Sequence, residues 1–150
     1  MKVAVIETTK GTIRLQLHDD KTPKTCANFE KLAGDGFYDG LTFHRVIDDF
    51  MVQTGCPQGT GTGGSGQNLA AEFSDEPHVR GTASMARAAS PNSADSQFFI
   101  CFGDTSFLDG EYTVWGRVVD GMDNIDKLKR GEPVNDPDKI VSMRVAEDAE

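Results

Sequence analysis

Apolar and polar residues alternate at the start of the chain. Val3 and Val5 alternate with their neighbours, and past a turn at TTKG, Ile13, Leu15 and Leu17 are separated by Arg14, Gln16 and His18. A period of two predicts a β-hairpin. The period then changes. Thr22 is placed to cap a helix, Pro23 suits its first position, and Cys26, Phe29, Leu32 and Ala33 fall on one face before Gly34 supplies a stop. Strand-like runs follow at 41–47 and 51–54, and again at 81–87, 97–102 and 113–119. A second short helix carries Met122, Ile125 and Leu128 on one face and stops at Gly131, and a last strand alternates Val141, Met143 and Val145 with Ser142 and Arg144. Eight short strands, two helices and Gly-rich turns predict a β-barrel or a sandwich with helices over its open ends. Between Gly55 and Arg80 lies a long Gly-rich segment without period. Segments of that kind inside a compact domain are functional or mobile.

Length and charge narrow the reading. A chain of 150 residues is most simply one domain, and folding at that size buries roughly 68–70% of the unfolded surface. Fifteen basic side chains stand against 24 acidic ones, a formal charge of −9. This argues against a nucleic-acid binder, which needs a basic footprint. The first apolar run ends at Glu7, too short for a secretory leader. No stretch approaches the ~20 apolar residues of a membrane span. Cys26, Cys56 and Cys101 are odd in number and follow no framework spacing, so free thiols in a reducing compartment are expected. The expectation is a soluble cytoplasmic protein, monomeric by default.

Several motifs carry less than they promise. Gly59 to Gly64 (GTGTGG) matches G-x-G-x-x-G, but neither a strand before it nor a helix after it gives the motif its phosphate-binding context. Its glycines instead serve positive φ or close approach of another chain segment. His18, His44 and His78 are scattered and none pairs with a cysteine at zinc spacing, so no metal or cofactor is expected. Ser65 lacks the last glycine of a nucleophile elbow.

The stretch FHRVIDDFMVQ (43–53) raises the chemical question, because Arg45 stands in a ribbon most of which reads as buried and apolar. One reading pairs Arg45 with Asp48 or Asp49. The other follows the alternation. Phe43, Arg45 and Ile47 share one face, Met51 and Gln53 share a face of the returning strand, and His44 points the opposite way into the interior as a hydrogen-bonded structural histidine. If the two faces coincide, Arg45 and Gln53 are polar donors on an apolar floor, a site for an uncharged, carbonyl-rich, hydrophobic ligand.

FHRVIDDFMVQTG (43–55), GTGG (61–64), SMARA (84–88), SQFFICF (96–102), FLDG (107–110) and VWGRVVDGMD (114–123) together resemble the cyclophilin family of peptidyl-prolyl cis-trans isomerases over essentially the whole chain. The resemblance implies a closed eight-stranded antiparallel barrel with a helix over each end. It implies rotation about X-Pro bonds in folding proteins, without a covalent intermediate or cofactor. Arg45 resembles the catalytic arginine, and Phe50, Met51, Phe99 and Phe107 resemble the walls of a proline pocket. Gln53 resembles an amide that positions a substrate carbonyl. Ala86, Arg87 and Ala88 match a segment whose backbone binds the residues before proline, and Gly61, Gln97 and Leu108 match other groove positions. Tyr112 stands where many members carry His, Phe107 where many carry Trp, and Arg87 where many carry Asn. Without the indole N–H, cyclosporin binding is expected to weaken. A residue acting through its backbone tolerates the change at Arg87. RAASPNSADSQFF is one residue longer than in the commonest eukaryotic members, as in a compact bacterial branch. The alternative is a proline-binding chaperone or scaffold module using the same groove, with isomerisation incidental. With no histidine as acid or base, no sharp pH dependence of activity is expected between about 5 and 8.

Overall fold

In a computed structural model, residues 2–61 and 63–147 are described. The end of the acidic tail VAEDAE and Thr62 of the glycine motif lie outside them. Eight strands form one antiparallel sheet: β1 (Lys2–Thr8), β2 (Gly11–Leu17), β3 (Arg45–Ile47), β4 (Met51–Thr54), β5 (Thr82–Met85), β6 (Phe98–Cys101), β7 (Val114–Asp120) and β8 (Ile140–Glu147). Their order across the sheet is β3-β4-β6-β5-β7-β2-β1-β8. The predicted closed barrel is therefore corrected to an open half-barrel, with β3 and β8 at its edges. Near this seam the described residues make no continuous ladder, but the isolated bridges Thr42↔Lys139 and Val46↔Gly131 and scattered backbone hydrogen bonds such as that from the Phe43 N–H to the Asp138 carbonyl. The segment on this seam contains Pro133 and Pro137, which have no N–H to donate, so a continuous ladder cannot form along it. The strand expected at 41–47 is regular only from Arg45, where its pairing with β4 begins.

Helix α1 (Pro23–Gly34) buries Cys26, Phe29, Leu32 and Ala33, the face set by their spacing. Its ends differ from the sequence reading. Thr22 occupies the cap position, but its hydroxyl donates to the His18 carbonyl. The Glu72 carboxylate, from the Gly-rich segment, instead accepts from the backbone N–H groups of Lys24 and Thr25. A carboxylate there satisfies orphan donors at the positive end of the helix. The stop comes from Gly36 rather than Gly34: its φ is +75°, and the N–H groups of Gly36 and Phe37 reach back to Ala33 and Leu32. That paired return is a Schellman closure, which requires a left-handed residue after the cap. Helix α2 (Met122–Ile125) is shorter than its pattern, yet Ile125 and Leu128 are both buried.

The main core fills the concave side of the sheet. Trp115, fully buried, lies 4.3 Å from Phe29 and edge-on to Phe98 at 5.2 Å, centroid to centroid. Tyr38 closes the cluster and donates its hydroxyl to the Ser96 carbonyl at 2.9 Å. A second, smaller cluster of Met51, Phe99 and Cys101 sits on the other face, with Ile47, Phe50, Ala86, Leu108 and Tyr112 packed against it. Two covered faces explain why β6, Phe98-Phe99-Ile100-Cys101, is a continuous apolar run. Cys26, Cys56 and Cys101 are free and buried. Among the described residues no helix is long and apolar enough to cross a membrane.

Candidate active site

β3 and β4 pair Arg45 with Gln53 and Ile47 with Met51, and β4 and β6 pair Gln53 with Phe99 and Met51 with Cys101. The two faces inferred from alternation therefore coincide, and β6 extends them. Phe43 does not join this face; it precedes the regular strand and packs in the main core. The resulting cleft, about 140 Å³, is lined by Arg45, Phe50, Met51, Gln53, Ala86, Arg87, Phe99, Leu108 and Tyr112. Phe107 stands outside this lining. Its side chain is 72% exposed at the rim and its ring centre lies 5.9 Å from that of Phe50. A second groove of about 270 Å³ shares Gln53, Ala86 and Arg87 with the first. It continues past Gly61, Ala88 and Gln97 to Gly63, Gly64, Asn68, Ser93 and Asp95. The last five were not anticipated from sequence.

Arg45 is held at two points. Its Nε donates to Glu132 at 2.7 Å and its Nη1 to the Gln53 side-chain oxygen at 3.2 Å. Nη2 has no partner among the described residues. Neither Asp48 nor Asp49 pairs with Arg45, as one sequence reading had it. Asp48 accepts from Arg130, and Asp49 turns the chain at φ 61°. Gln53 in turn donates to the Gln97 side-chain oxygen at 2.9 Å, and Gln97 donates to the carbonyls of Gly61 and Gly63 at 3.0 and 2.9 Å. The Gly-rich segment thus contacts the site through its backbone. Gly61 adopts φ +90°, a conformation that favours glycine.

Arg87 does more through its side chain than the backbone role inferred for it. Its guanidinium donates to the carbonyls of Glu111, Ala88 and Ala89 and lies 4.6 Å above the Tyr112 ring. Tyr112 stands edge-on to Phe99. Phe99 is backed by buried His78, whose backbone N–H and ring meet Asp109 and whose Nε2 meets Ser84. These bonds from His78 hold the Asp109 carboxyl below its usual range. His44 is buried as expected, but neither ring nitrogen meets a hydrogen-bond partner among the described residues. Burial pushes its pKa down, toward the neutral form.

Cys56 is a group the sequence did not mark. Its sulfur accepts from the N–H groups of Gly61 and Gly63 at 3.3 and 3.2 Å. Burial opposes its ionisation, but these donors and the N–H groups of Thr60 and Gln58 prevail and bring the thiol down to about 7 from its usual 9. A folded-state pKa below the unfolded one stabilises the fold fully above pH ~9 and loses that contribution as pH falls through ~7. The melting temperature is expected to rise between pH 6.5 and 9, and Cys56→Ser to flatten that rise. Parallel melting curves of the two proteins across this range would show that the thiolate is not what the loop binds.

Residues 3–146 match the family model described as cyclophilin type peptidyl-prolyl cis-trans isomerase/CLD. A peptidyl-prolyl cis-trans isomerase of Synechococcus elongatus is 50% identical, the alignment covering 99% of each chain. A probable peptidyl-prolyl cis-trans isomerase of Brucella suis is 47% identical over 96% of this chain and 82% of that protein. A solved structure of a Cryptosporidium parvum cyclophilin type isomerase, in the presence of the dipeptide Ala-Pro, superposes with a TM-score of 0.90. It is 30% identical and covers 97% of this chain and 99% of that one.

Proposed function

The chain belongs to the cyclophilin-type peptidyl-prolyl cis-trans isomerases, and from that premise we propose that Arg45 is its catalytic residue and the 140 Å³ cleft its proline pocket. In this reading the prolyl ring rests on Met51, Phe99 and Leu108, beside Phe50 and Tyr112. The residues before proline run along Ala86, Arg87 and Ala88 into the larger groove, and Gln53 holds a flanking carbonyl. The whole chain acts as one isomerase domain, and its substrates are X-Pro segments of folding proteins. The dipeptide present with the Cryptosporidium parvum relative supports a proline-containing occupant. Phe107 at the rim offers no hydrogen-bond donor, which supports weak cyclosporin binding.

Isomerisation makes and breaks no bond. Its barrier is the amide double-bond character, on the order of 18–20 kcal/mol. As the bond twists, conjugation is lost and the prolyl nitrogen gains a lone pair. A guanidinium donating to that nitrogen stabilises the twisted form more than either planar form, and only such differential binding speeds the step. Arginine suits this because it stays charged and offers several donors. Turnover near ~10³ per second from an uncatalysed ~10⁻² needs roughly 7 kcal/mol. One charge-assisted hydrogen bond supplies about 1.5–3. The remainder falls to ring burial, water exclusion and the held carbonyls.

The observation that carries the reading is a guanidinium anchored by Gln53 and Glu132 while lining an apolar cleft. Exchange NMR on an Ala-Pro peptide tests it. Catalytic amounts of the protein are expected to broaden and exchange the cis and trans resonances. Binding without faster exchange would overturn it in favour of a docking module.

A further inference from the structure

We infer that Glu132 is a positioning residue for Arg45, an inference that rests on the assignment of Arg45 as the catalytic group. Glu132 is 87 positions away in sequence, and the fold brings it there by a specific route. On the open seam, Val46 and Gly131 exchange two backbone hydrogen bonds, at 2.9 and 2.8 Å, and the Val134 N–H donates to the His44 carbonyl at 3.0 Å. The backbone on both sides of Arg45 is thereby fastened to the backbone on both sides of Glu132. Among the described residues the carboxylate takes only the Nε of Arg45, at 2.7 Å, and Gln53 takes Nη1.

Two hydrogen bonds at different nitrogens of a planar group fix its tilt as well as its place. With Gln53 alone, the guanidinium could pivot about the Nη1 contact and sweep Nη2 away from the twisted bond. A reacting geometry lost by a fraction of an ångström costs rate rather than binding. The pair is also partly solvent-exposed, at 37% for the Arg45 side chain and 58% for that of Glu132. An ion pair in that setting contributes little to the stability of the fold. Orientation is therefore its main effect, and the accepting oxygen matters more than the negative charge.

The test is steady-state and exchange kinetics on an Ala-Pro peptide with Glu132→Ala, Glu132→Gln, Arg45→Ala and the Arg45→Ala/Glu132→Ala double variant. Glu132→Ala is expected to lower kcat about five- to tenfold with KM within about twofold of the parent, the mark of an interaction realised in the transition state. Glu132→Gln, whose amide oxygen still accepts from Nε, is expected to recover kcat to within about twofold. The double variant should be no slower than Arg45→Ala, because a residue acting through another adds nothing once that one is gone. In ¹H–¹⁵N spectra the Arg45 Nε–H signal should be protected in the parent and in Glu132→Gln, and exchange rapidly in Glu132→Ala. A parental kcat in Glu132→Ala beside an inactive Arg45→Ala overturns the role of Glu132 and leaves that of Arg45 standing. Activity in Arg45→Ala itself removes the premise. Losses that multiply in the double variant, or Glu132→Gln as slow as Glu132→Ala, also overturn the inference.

Discussion

Arg45→Ala is expected to lower kcat/KM on an Ala-Pro peptide by roughly one to two orders of magnitude from the lost charge-assisted hydrogen bond alone. Further loss follows because Gln53 and Glu132 are left without the group that they hold. The fold should not notice. Arg45 lies on a three-residue edge strand and its side chain is 37% exposed, so the melting temperature should stay within about 4 °C. Arg45→Lys is expected to recover less than about a tenth of the activity. An ammonium is a compact point charge and cannot bond Glu132, Gln53 and a prolyl nitrogen from one rigid plane. A protease-coupled assay with circular dichroism on the same samples decides it. Full activity in a well-folded Arg45→Ala protein would mean that the cleft works by ring burial alone.

Trp115→Ala should have the largest effect on stability, about 3–5 kcal/mol. The indole is fully buried and touches both Phe29 of α1 and Phe98 of β6, so its removal leaves a void between helix and sheet. Trp115→Phe should cost considerably less. The indole N–H is buried with no hydrogen-bond partner among the described residues, so losing it relieves an unpaired donor while much of the ring contact survives. Chemical denaturation of the three proteins is the measurement. An alanine variant within about 1 kcal/mol of the parent would mean that the core collapses freely around the gap.

Local pattern carried far into the fold. The α1 face and the hairpin follow from spacing, because periodicity reports which side of an element is covered. Spacing left open whether the faces of Arg45 and Gln53 coincide until the β3–β4 register joined them. What local pattern could not carry are contacts made across the seam and by irregular backbone. SQFFICF reads as a core strand, and its second role as a cleft wall came only from family resemblance, since an apolar run does not say what lies on each face. Glu132 gives no sign in its own neighbourhood, GEPV, that it meets Arg45. α1 ends at Gly34 where its spacing stops, yet the left-handed residue that closes it is Gly36. Either glycine is permitted by propensity, and the carbonyls of Leu32 and Ala33 decide. The closed barrel inferred from the family resemblance fails at the seam, where two prolines remove the donors that closure would require.

The run of side-chain amides behind Arg45 has a sense of direction. Because two loop carbonyls converge on the Gln97 nitrogen, its oxygen must turn toward Gln53. Gln53 must then present its own nitrogen to Gln97 and its oxygen to the guanidinium. Each amide could flip in isolation, but together they have one consistent setting, imposed from the glycine loop. The polarity of a few peptide carbonyls is passed through two glutamines, and it fixes which atom the arginine finds waiting for it.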